Sequence, residues 1–498
     1  MLFNSYVFIF AFLPITFVVY YLLNYKKYFL GAKIFLIFAS LFFYAWWNVK
    51  YLPILIFSIV FNYFTSMAIL SDNKLNKKFV LIFGICLNIV LLGYFKYADF
   101  FIDNLNFTLN LDINSLNLAL PLALSFVTFQ QIAYLTDCYK VRIAKDSKNS
   151  GEVYKIDKNF LNYCTFITFF PQLIAGPIVH HKEMMPQFAS FKNKFINYRN
   201  LSLGLFIFSI GLFKKVVLAD TFALVVNAGF ANSAMLNFIE AWATSLSYTF
   251  QLYFDFSGYC DMAIGLALMF NIKLPLNFNS PYKSLNIQEF WRRWHITLGR
   301  FLTRYLYFPL GGSRVSNKRT YLNLMIVFLI SGLWHGAGWT FVFWGFLHGV
   351  AIVIHRIWSN LGFKMHKLAA IFITFNFVNI AWVFFRANNF KDALNVLRAM
   401  FDLTNIALPI ALSTKLDFLA KYGIFFTDFK AINPNLILKT SFYMLFAFVC
   451  VFFLKNSILL SKTKRKNYLF SLYCGFIFAI SILAISISTY SEFIYFNF

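Results

Sequence analysis

The feature that most constrains this chain is a series of apolar segments, each long enough or nearly long enough to cross a lipid bilayer. A helix needs about 20 apolar residues to span the ~30 Å hydrocarbon layer. Candidate segments lie at 6–23, 29–46, 51–70, 79–95, 160–179, 201–220, 236–254, 321–334, 337–356, 368–385, 440–454 and 468–489. Because several are short or carry polar residues, we expect about ten to fourteen spans.

The composition indicates that lipid covers much of the folded surface. Hydrophobic residues make up 60% of the chain and charged residues only 13%, whereas soluble domains carry roughly 25% charged residues. A compact soluble fold has too little interior to hide so much apolar surface. No ten-residue alternating pattern of a barrel is present, so we predict an all-α, polytopic helical membrane protein.

We expect one integral membrane domain over residues 1–498, with spans in 1–100, a core over 116–390 and further spans in 436–498. Prolines and polar residues interrupt two apolar stretches of the core, and such interruptions predict short re-entrant or interfacial helices beside an interior cavity. Residues 391–435 form a polar insertion to which the sequence assigns no chemistry.

The formal net charge of +25 comes from cations in short connections between apolar segments. Examples are Lys26-Lys27, Lys74–Lys78, Lys140–Lys158 and Lys462–Lys466. Cationic loops typically face the cytoplasm and anionic lipid headgroups. This pattern predicts a multi-pass protein of the cytoplasmic (inner) membrane with its N-terminus outside, and it argues for membrane lipid and against nucleic acid as a partner.

A basic stretch follows the central spans. Arg293, Arg300 and Arg304 are seven and four residues apart, so one continuous helix would place them on one face. Apolar and aromatic residues fill most of the remaining positions of this stretch. We therefore predict one amphipathic helix over 290–305 that lies at the membrane interface.

Two histidines are candidates for chemistry. His335 ends an apolar run in the sequence Gly332-Leu333-Trp334-His335-Gly336, and His295 lies on the basic stretch. An ionisable residue at membrane depth is a functional hypothesis by default, although a structural histidine bonded to backbone is the alternative. A neutral imidazole can remove a proton from a hydroxyl, and its conjugate acid can protonate a leaving thiolate.

The remaining histidines give weaker signals. His348 and His355 lie on one helical face and are interpreted as structural, while His180, His181 and His366 are interpreted as loop residues. Neither these histidines nor the six scattered cysteines show the spacing of a zinc site, so we predict no metal. The absence of a G-x-S-x-G motif favours direct attack on a thioester over a serine acyl-enzyme.

Asp255 and Asp261 lie six residues apart in an otherwise apolar stretch. Buried carboxylates require partners. We interpret both as structural or orienting residues, with a role in pinning the basic helix, because spacing alone does not support paired-carboxylate catalysis.

Several motifs, taken in order, resemble those of the membrane-bound O-acyltransferase (MBOAT) family. The motifs that carry the resemblance are Tyr253–Gly265, Pro281–Ser284, Phe290–His295 and Gly332–Gly336. Two further segments, Leu2–Tyr6 and Pro121–Gln130, resemble the family's bacterial polysaccharide-acetylating branch, which includes alginate O-acetylase and peptidoglycan O-acetyltransferase membrane subunits. The resemblance extends over roughly residues 1–390.

The resemblance implies a helical bundle around a funnel or tunnel, with His335 and His295 as catalytic residues and Trp334 in an orienting role. It implies that the acyl donor is acetyl-CoA in an acetylating member or an acyl carrier protein in a D-alanylating member, with no cofactor bound. It also implies a periplasmic or extracellular SGNH-type O-acetyltransferase subunit as partner. The donor-side candidates, which would serve equally well as anchors to the membrane surface, are Arg292, Arg293, Arg300 and Lys283.

The function predicted from these residues is the passage of acetyl groups from a cytoplasmic thioester across the membrane, for O-acetylation of a cell-surface polysaccharide. Peptidoglycan is slightly favoured over alginate. One alternative is D-alanyl transfer to teichoic acid. The other is a transporter or flippase without chemistry, because broken helices and polar residues at membrane depth suit transporters as well.

Overall fold

A computed structural model describes residues 1–146, 156–463, 468–487 and 494. Parts of the cationic connections Lys140–Lys158 and Lys462–Lys466 therefore lie outside the described residues. The end of the predicted segment 468–489 lies outside them as well.

The structure is built almost entirely from helices, which confirms the predicted fold class. The α-helices are α1 (Leu13–Tyr25), α2 (Phe29–Ala45), α3 (Leu52–Leu70), α4 (Lys77–Leu109), α5 (Leu124–Asp146), α6 (Phe160–Thr168), α7 (Phe170–Leu173), α8 (His181–Ala189), α9 (Tyr198–Phe213), α10 (Asp220–Ala231), α11 (Phe238–Met269), α12 (Ile287–Arg293), α13 (Ile296–Leu302), α14 (Asn317–His335), α15 (Trp339–Asn360), α16 (Lys367–Arg386), α17 (Phe390–Phe401), α18 (Ser413–Leu416), α19 (Pro434–Phe452), α20 (Ser457–Thr463) and α21 (Tyr468–Ile487). π-Helical turns lie at Phe8–Phe12, Lys214–Ala219 and Thr303–Tyr307.

Eight helical segments in the described part of the chain are long and apolar enough to cross a membrane. They are Phe8–Tyr25, Val49–Leu70, Lys77–Leu109, Tyr198–Ala231, Trp339–Asn360, Lys367–Arg386, Pro434–Phe452 and Leu469–Ile487. Helix α2 is apolar but shorter, with 17 residues. The chain is thus a multi-pass membrane protein.

The predicted segment 160–179 does not form one span. Helix α6 ends at Thr168 and the short helix α7 begins at Phe170, with Pro171 in its first turn. Proline lacks the backbone N–H that a continuous helix would need there. The two pieces, of 9 and 4 residues, are each too short to cross a bilayer, as the interruption in this stretch predicted.

The single amphipathic helix predicted over 290–305 is also wrong. Helix α12 ends at Arg293 and α13 begins at Ile296, with His295 between them in the left-handed region at φ 44°. The backbone N–H of Ile296 donates to the carbonyl of Asn277 at 3.0 Å instead of continuing the helix. Arg293 and Arg300 therefore lie on different helices and do not share a face.

The chain divides into two compact units. The first comprises residues 1–208 and 259–276, and the second comprises residues 209–258 and 277–498. In the first unit, α5 packs against α3 and α4, and α1 packs against α2. The second unit contains both candidate histidines, and its most extensive helix pair is formed by α14 and α15.

Close backbone contact holds α14 against α15. A Cβ atom on Gly332 would lie 2.3 Å from the carbonyl oxygen of Phe341, and one on Gly345 would lie 2.4 Å from that of Phe328. Real Cβ atoms do not come so close to backbone, so only glycine fits at these two positions. Gly332, three residues before His335, is therefore needed for the packing of α14 against α15.

The polar insertion at 391–435 has a structural attachment in the second unit. It contains α17, α18 and a pair of three-residue parallel strands, β1 (Ala407–Pro409) and β2 (Phe425–Thr427). The buried Glu240 carboxylate at the start of α11 accepts hydrogen bonds from the backbone N–H groups of Ala431 and Ile432 at 3.2 and 3.0 Å. These bonds attach the end of the insertion to α11.

Candidate active site

His335 is the last residue of α14, and its helix ends there because Gly336 is extended. The imidazole is only 3% exposed. Aromatic rings surround it, with centroids 4.8 Å away for Trp334, 5.3 Å for Trp344 and 5.2 Å for Phe385. The packing of α14 against its neighbours thus places an ionisable ring in an aromatic environment.

His295 lies in the break between α12 and α13, and it is 1% exposed. Its left-handed backbone conformation is uncommon for a residue with a side chain and costs about 1–3 kcal/mol, so the surrounding structure must impose it. The Phe256 ring packs against the imidazole at 4.8 Å. Burial lowers the pKa of His295 to about 3, so its ring is neutral at physiological pH.

The structure brings the two histidines together. Their ring centroids lie 6.4 Å apart. Trp334 packs beside both, with its ring centroid 4.8 Å from that of His335 and 6.2 Å from that of His295. At this separation one small reacting group can contact both imidazoles. The sequence named all three residues but gave no measure of their proximity.

Asn277 contacts His295 and was missed by the sequence analysis. Its side-chain oxygen lies 3.2 Å from Nδ1 of His295 and accepts hydrogen bonds from the backbone N–H and the hydroxyl of Thr297 at 3.1 and 2.9 Å. A lone asparagine in the segment after α11 carries no local signal for this role, because its partners lie 18 and 20 residues further along.

The basic residues that were candidates for binding the donor differ in their exposure and in their hydrogen bonds. Arg292 is exposed. The Arg293 guanidinium donates to a Glu289 carboxylate oxygen at 2.7 and 3.0 Å and to the carbonyl of Asn279 at 3.3 Å. The Lys283 ammonium donates to a backbone carbonyl in the segment after α19 at 2.7 Å. The side chains of Arg293 and Lys283 are thus engaged in hydrogen bonds within the protein. Arg300 is half-buried.

Asp255 is paired with a lysine rather than with the basic stretch. Lys215 lies 2.8 Å from the Asp255 carboxylate and 2.6 Å from that of Asp220, and all three side chains are buried. A buried carboxylate requires such a partner. Asp261 is likewise buried but belongs to the first unit.

The other histidines divide into two groups. His348 is fully buried, and its Nδ1 accepts a hydrogen bond from the Trp291 indole N–H at 3.2 Å. This contact is consistent with a structural role. His180 lies in the loop before α8, as predicted, whereas the prediction for His181 is wrong because His181 is the first residue of α8; both side chains are buried. His181 lies 3.8 Å from the Asp137 carboxylate.

Within the described residues, no three His, Cys, Asp or Glu side chains come together as a metal site would require. The chemistry that the histidine pair itself offers is proton transfer and hydrogen bonding by neutral imidazole. The fold and the site together define a class: a multi-pass helical membrane protein with a buried histidine pair among aromatic residues.

The class can be made more specific by comparison with known proteins. The sequence profile of the membrane-bound O-acyltransferase (MBOAT) family matches residues 105–390. The peptidoglycan O-acetyltransferase of Helicobacter pylori is 51% identical, over 100% of this chain and 98% of that protein. The chain therefore belongs to the membrane-bound O-acyltransferase family, as its motifs predicted, and it is an O-acyltransferase.

Two other groups of relatives are more distant. The protein of Pseudomonas aeruginosa named "Probable alginate O-acetylase AlgI" is 39% identical, over 80% of this chain and 75% of its own length. The teichoic acid D-alanyltransferase of Streptococcus thermophilus is 27% identical, over 45% of this chain and 60% of its own length.

Proposed function

We propose that this chain takes acetyl groups from a cytoplasmic thioester, acetyl-CoA, and passes them across the cytoplasmic membrane for O-acetylation of peptidoglycan. The observation that carries the proposal is the histidine pair, two buried imidazoles 6.4 Å apart in one aromatic environment. Peptidoglycan is favoured over alginate because the similarity to a peptidoglycan O-acetyltransferase is higher and covers the whole chain.

In the proposed reaction, His335 accepts the proton of an acceptor hydroxyl while the hydroxyl oxygen attacks the thioester carbonyl carbon. The new C–O bond forms and the C–S bond breaks. The imidazolium then returns its proton to the departing thiolate, which leaves as the free thiol, so protons and electrons balance. No cofactor takes part.

The donor is proposed to enter from the cytoplasmic side and the acceptor from the outer side, through the funnel or tunnel that the family resemblance implies. Arg292 is the proposed contact for the donor's anionic phosphates, because its guanidinium is exposed whereas that of Arg293 is held by Glu289. The proposed recipient is a periplasmic or extracellular SGNH-type O-acetyltransferase subunit, which places the group on the polymer.

The decisive experiment replaces His335 with alanine in the source bacterium. Ester-linked acetate released from purified peptidoglycan by mild base should fall to background, while the level of the protein in the membrane stays unchanged. Near-normal acetate with normal protein level would overturn the assignment. His366→Gln serves as the matched control, because His366 is exposed and lies outside the site.

A second substitution separates an enzyme from a transporter without chemistry. His335→Gln keeps a polar side chain of similar size but removes the basic nitrogen. A catalyst should lose its activity with this change, whereas a passive conduit should keep most of its transport. Retained acetylation in the His335→Gln strain would favour the transporter.

The donor proposal is tested with two neighbouring arginines. Arg292→Gln should raise the KM for acetyl-CoA several-fold in isolated membranes, because one phosphate contact is lost. Arg293→Gln should change KM little and lower thermal stability instead. If the activity of the unmodified protein requires an acetylated acyl carrier protein and ignores acetyl-CoA, the donor assignment is wrong.

A further inference from the structure

The hydrogen bonds around Asn277 determine which nitrogen of His295 carries the hydrogen. The Asn277 side-chain atom that faces the break accepts from the Thr297 backbone N–H at 3.1 Å. A backbone N–H can only donate, so this atom is the amide oxygen and not the amide nitrogen. The same oxygen lies 3.2 Å from Nδ1 of His295.

An amide oxygen has no hydrogen to give, so Nδ1 of His295 must be the donor in this contact. A neutral imidazole carries one hydrogen, and burial holds the ring in its neutral form by lowering the pKa of His295 to about 3. Nε2 of His295 therefore presents a lone pair. It can accept a hydrogen bond but cannot donate one to a thioester carbonyl.

The proposed donor, acetyl-CoA, carries a group that such a lone pair can bind, and an acetylated acyl carrier would carry the same group. The pantetheine arm carries an amide N–H two carbons beyond the thioester sulfur. Standard bond lengths place this nitrogen about 5 Å from the reacting carbonyl carbon. The two imidazole centroids lie 6.4 Å apart. A donor whose amide lies beside His295 can therefore place its carbonyl carbon near His335.

We propose that Asn277 is a positioning residue that fixes His295 with its hydrogen on Nδ1, so that Nε2 accepts the pantetheine amide N–H and sets the thioester carbon beside His335. The inference rests on the proposed function, since it assigns the contact through which the donor is aligned. His295 thus selects donors by their amide and does not polarise the carbonyl.

The neighbourhood of the ring agrees with this assignment. Phe256 from α11, Phe278 from the segment after it and Trp334 from α14 pack against His295. The ring of His335 lies 6.4 Å away. None of the aromatic rings can replace Asn277 as the acceptor for Nδ1–H, although the backbone of His295 itself also hydrogen-bonds the ring. Loss of the Asn277 oxygen would weaken the preference for the tautomer with its hydrogen on Nδ1.

The test compares two small thioesters with the full-length protein in open membrane fragments. The first is S-acetyl-N-acetylcysteamine, which carries the amide, and the second is S-butyl thioacetate, which lacks it. The unmodified protein should prefer the amide-bearing probe by about tenfold in kcat/KM, the effect of one hydrogen bond. The readout is thiol release in membrane fragments that retain the proposed SGNH-type subunit, with peptidoglycan fragments as the final acceptor.

Asn277→Ala should abolish this preference, with the rate on the amide-bearing probe falling toward that on the other. Asn277→Asp keeps an acceptor oxygen and should restore the preference. Thr297→Val is the matched control, because it removes the 2.9 Å hydroxyl bond to the same oxygen without touching His295. It should lower stability yet leave the preference intact.

Failure of this inference is distinguishable from failure of the proposed function. Equal use of both probes by the unmodified protein, or an unchanged preference in a folded Asn277→Ala variant, would overturn the role of Asn277 while leaving His335 as the base. If His335→Ala retains full thiol release on either probe, the proposed function itself fails. Thermal unfolding of each variant, followed by tryptophan fluorescence, establishes that it is folded.

Discussion

Two buried polar regions, one in each compact unit, differ in how their side chains are surrounded. Around α5 in the first unit, buried polar side chains lie beside one another: Tyr163 donates its hydroxyl hydrogen to Gln131, and His181 lies 3.8 Å from the Asp137 carboxylate. In the second unit, aromatic rings pack against His335, and the ring of His295 lies 6.4 Å away.

The difference indicates what each region does. Polar side chains that contact one another stabilise a fold where their donors and acceptors are matched. An imidazole pair packed mainly against aromatic rings is suited to binding and proton transfer. Both regions contain buried histidines, so burial alone does not identify the site.

The largest expected difference between the regions is in activity. His335→Gln should lower the rate of acetyl transfer by about 10²–10⁴, the usual contribution of a general base. His181→Gln, the matching change in the first unit, should lower it by less than about tenfold and reduce the melting temperature instead. Thiol release from acetyl-CoA in membranes measures the rate, and comparable rate losses in both variants would break the comparison.

A smaller effect is expected on stability when a glycine at a helix contact is replaced. One such glycine from each unit can be compared. Gly332→Ala should destabilise the protein by about 1–3 kcal/mol, because its Cβ would meet the Phe341 backbone. Gly84→Ala in α4 should cost less, since its Cβ would meet only the side-chain ends of Leu135 and Thr65 at 2.8 and 2.9 Å. Thermal unfolding in detergent ranks the two, and the reverse order would contradict this account.

The smallest effect is expected for a single bond of the first unit. Gln131→Leu removes the acceptor for the Tyr163 hydroxyl and should destabilise by about 1 kcal/mol without loss of activity. The double variant Gln131→Leu/Tyr163→Phe should recover part of the loss, because no buried hydroxyl is then left without a partner. Additive effects in this double-mutant cycle would show that the bond contributes nothing.

Much of the fold could be predicted from the sequence because apolar length is a local property. The spans around α3, α4, α15 and α16 follow directly from runs of apolar residues. The segment 160–179 was wrong as one span, although Pro171 within it already marked the interruption. The prediction for the basic stretch failed for a different reason: Asn277, distant in sequence, accepts hydrogen bonds from the backbone N–H groups of Ile296 and Thr297, and a second helix begins after His295.

The candidate site was predicted in part. His335, His295 and Trp334 were named from their residue types and motifs, and the structure places them together; their catalytic and orienting roles stay predictions. The sequence could not show which of the arginines is available to bind a donor. The structure shows that the Arg293 guanidinium donates a hydrogen bond to Glu289. Asn277 carried no signal at all.

The sequence by itself determined the environment of this protein, its helical class and its family, because apolar length, charge placement and short motifs are written in consecutive residues. The tertiary structure alone decided which polar residues face one another. Contacts such as that between Asn277 and His295 depend on how the chain folds back on itself, and no local pattern encodes that distance. The chemistry of a buried imidazole follows from those contacts, since they set both its charge and the nitrogen that carries its hydrogen.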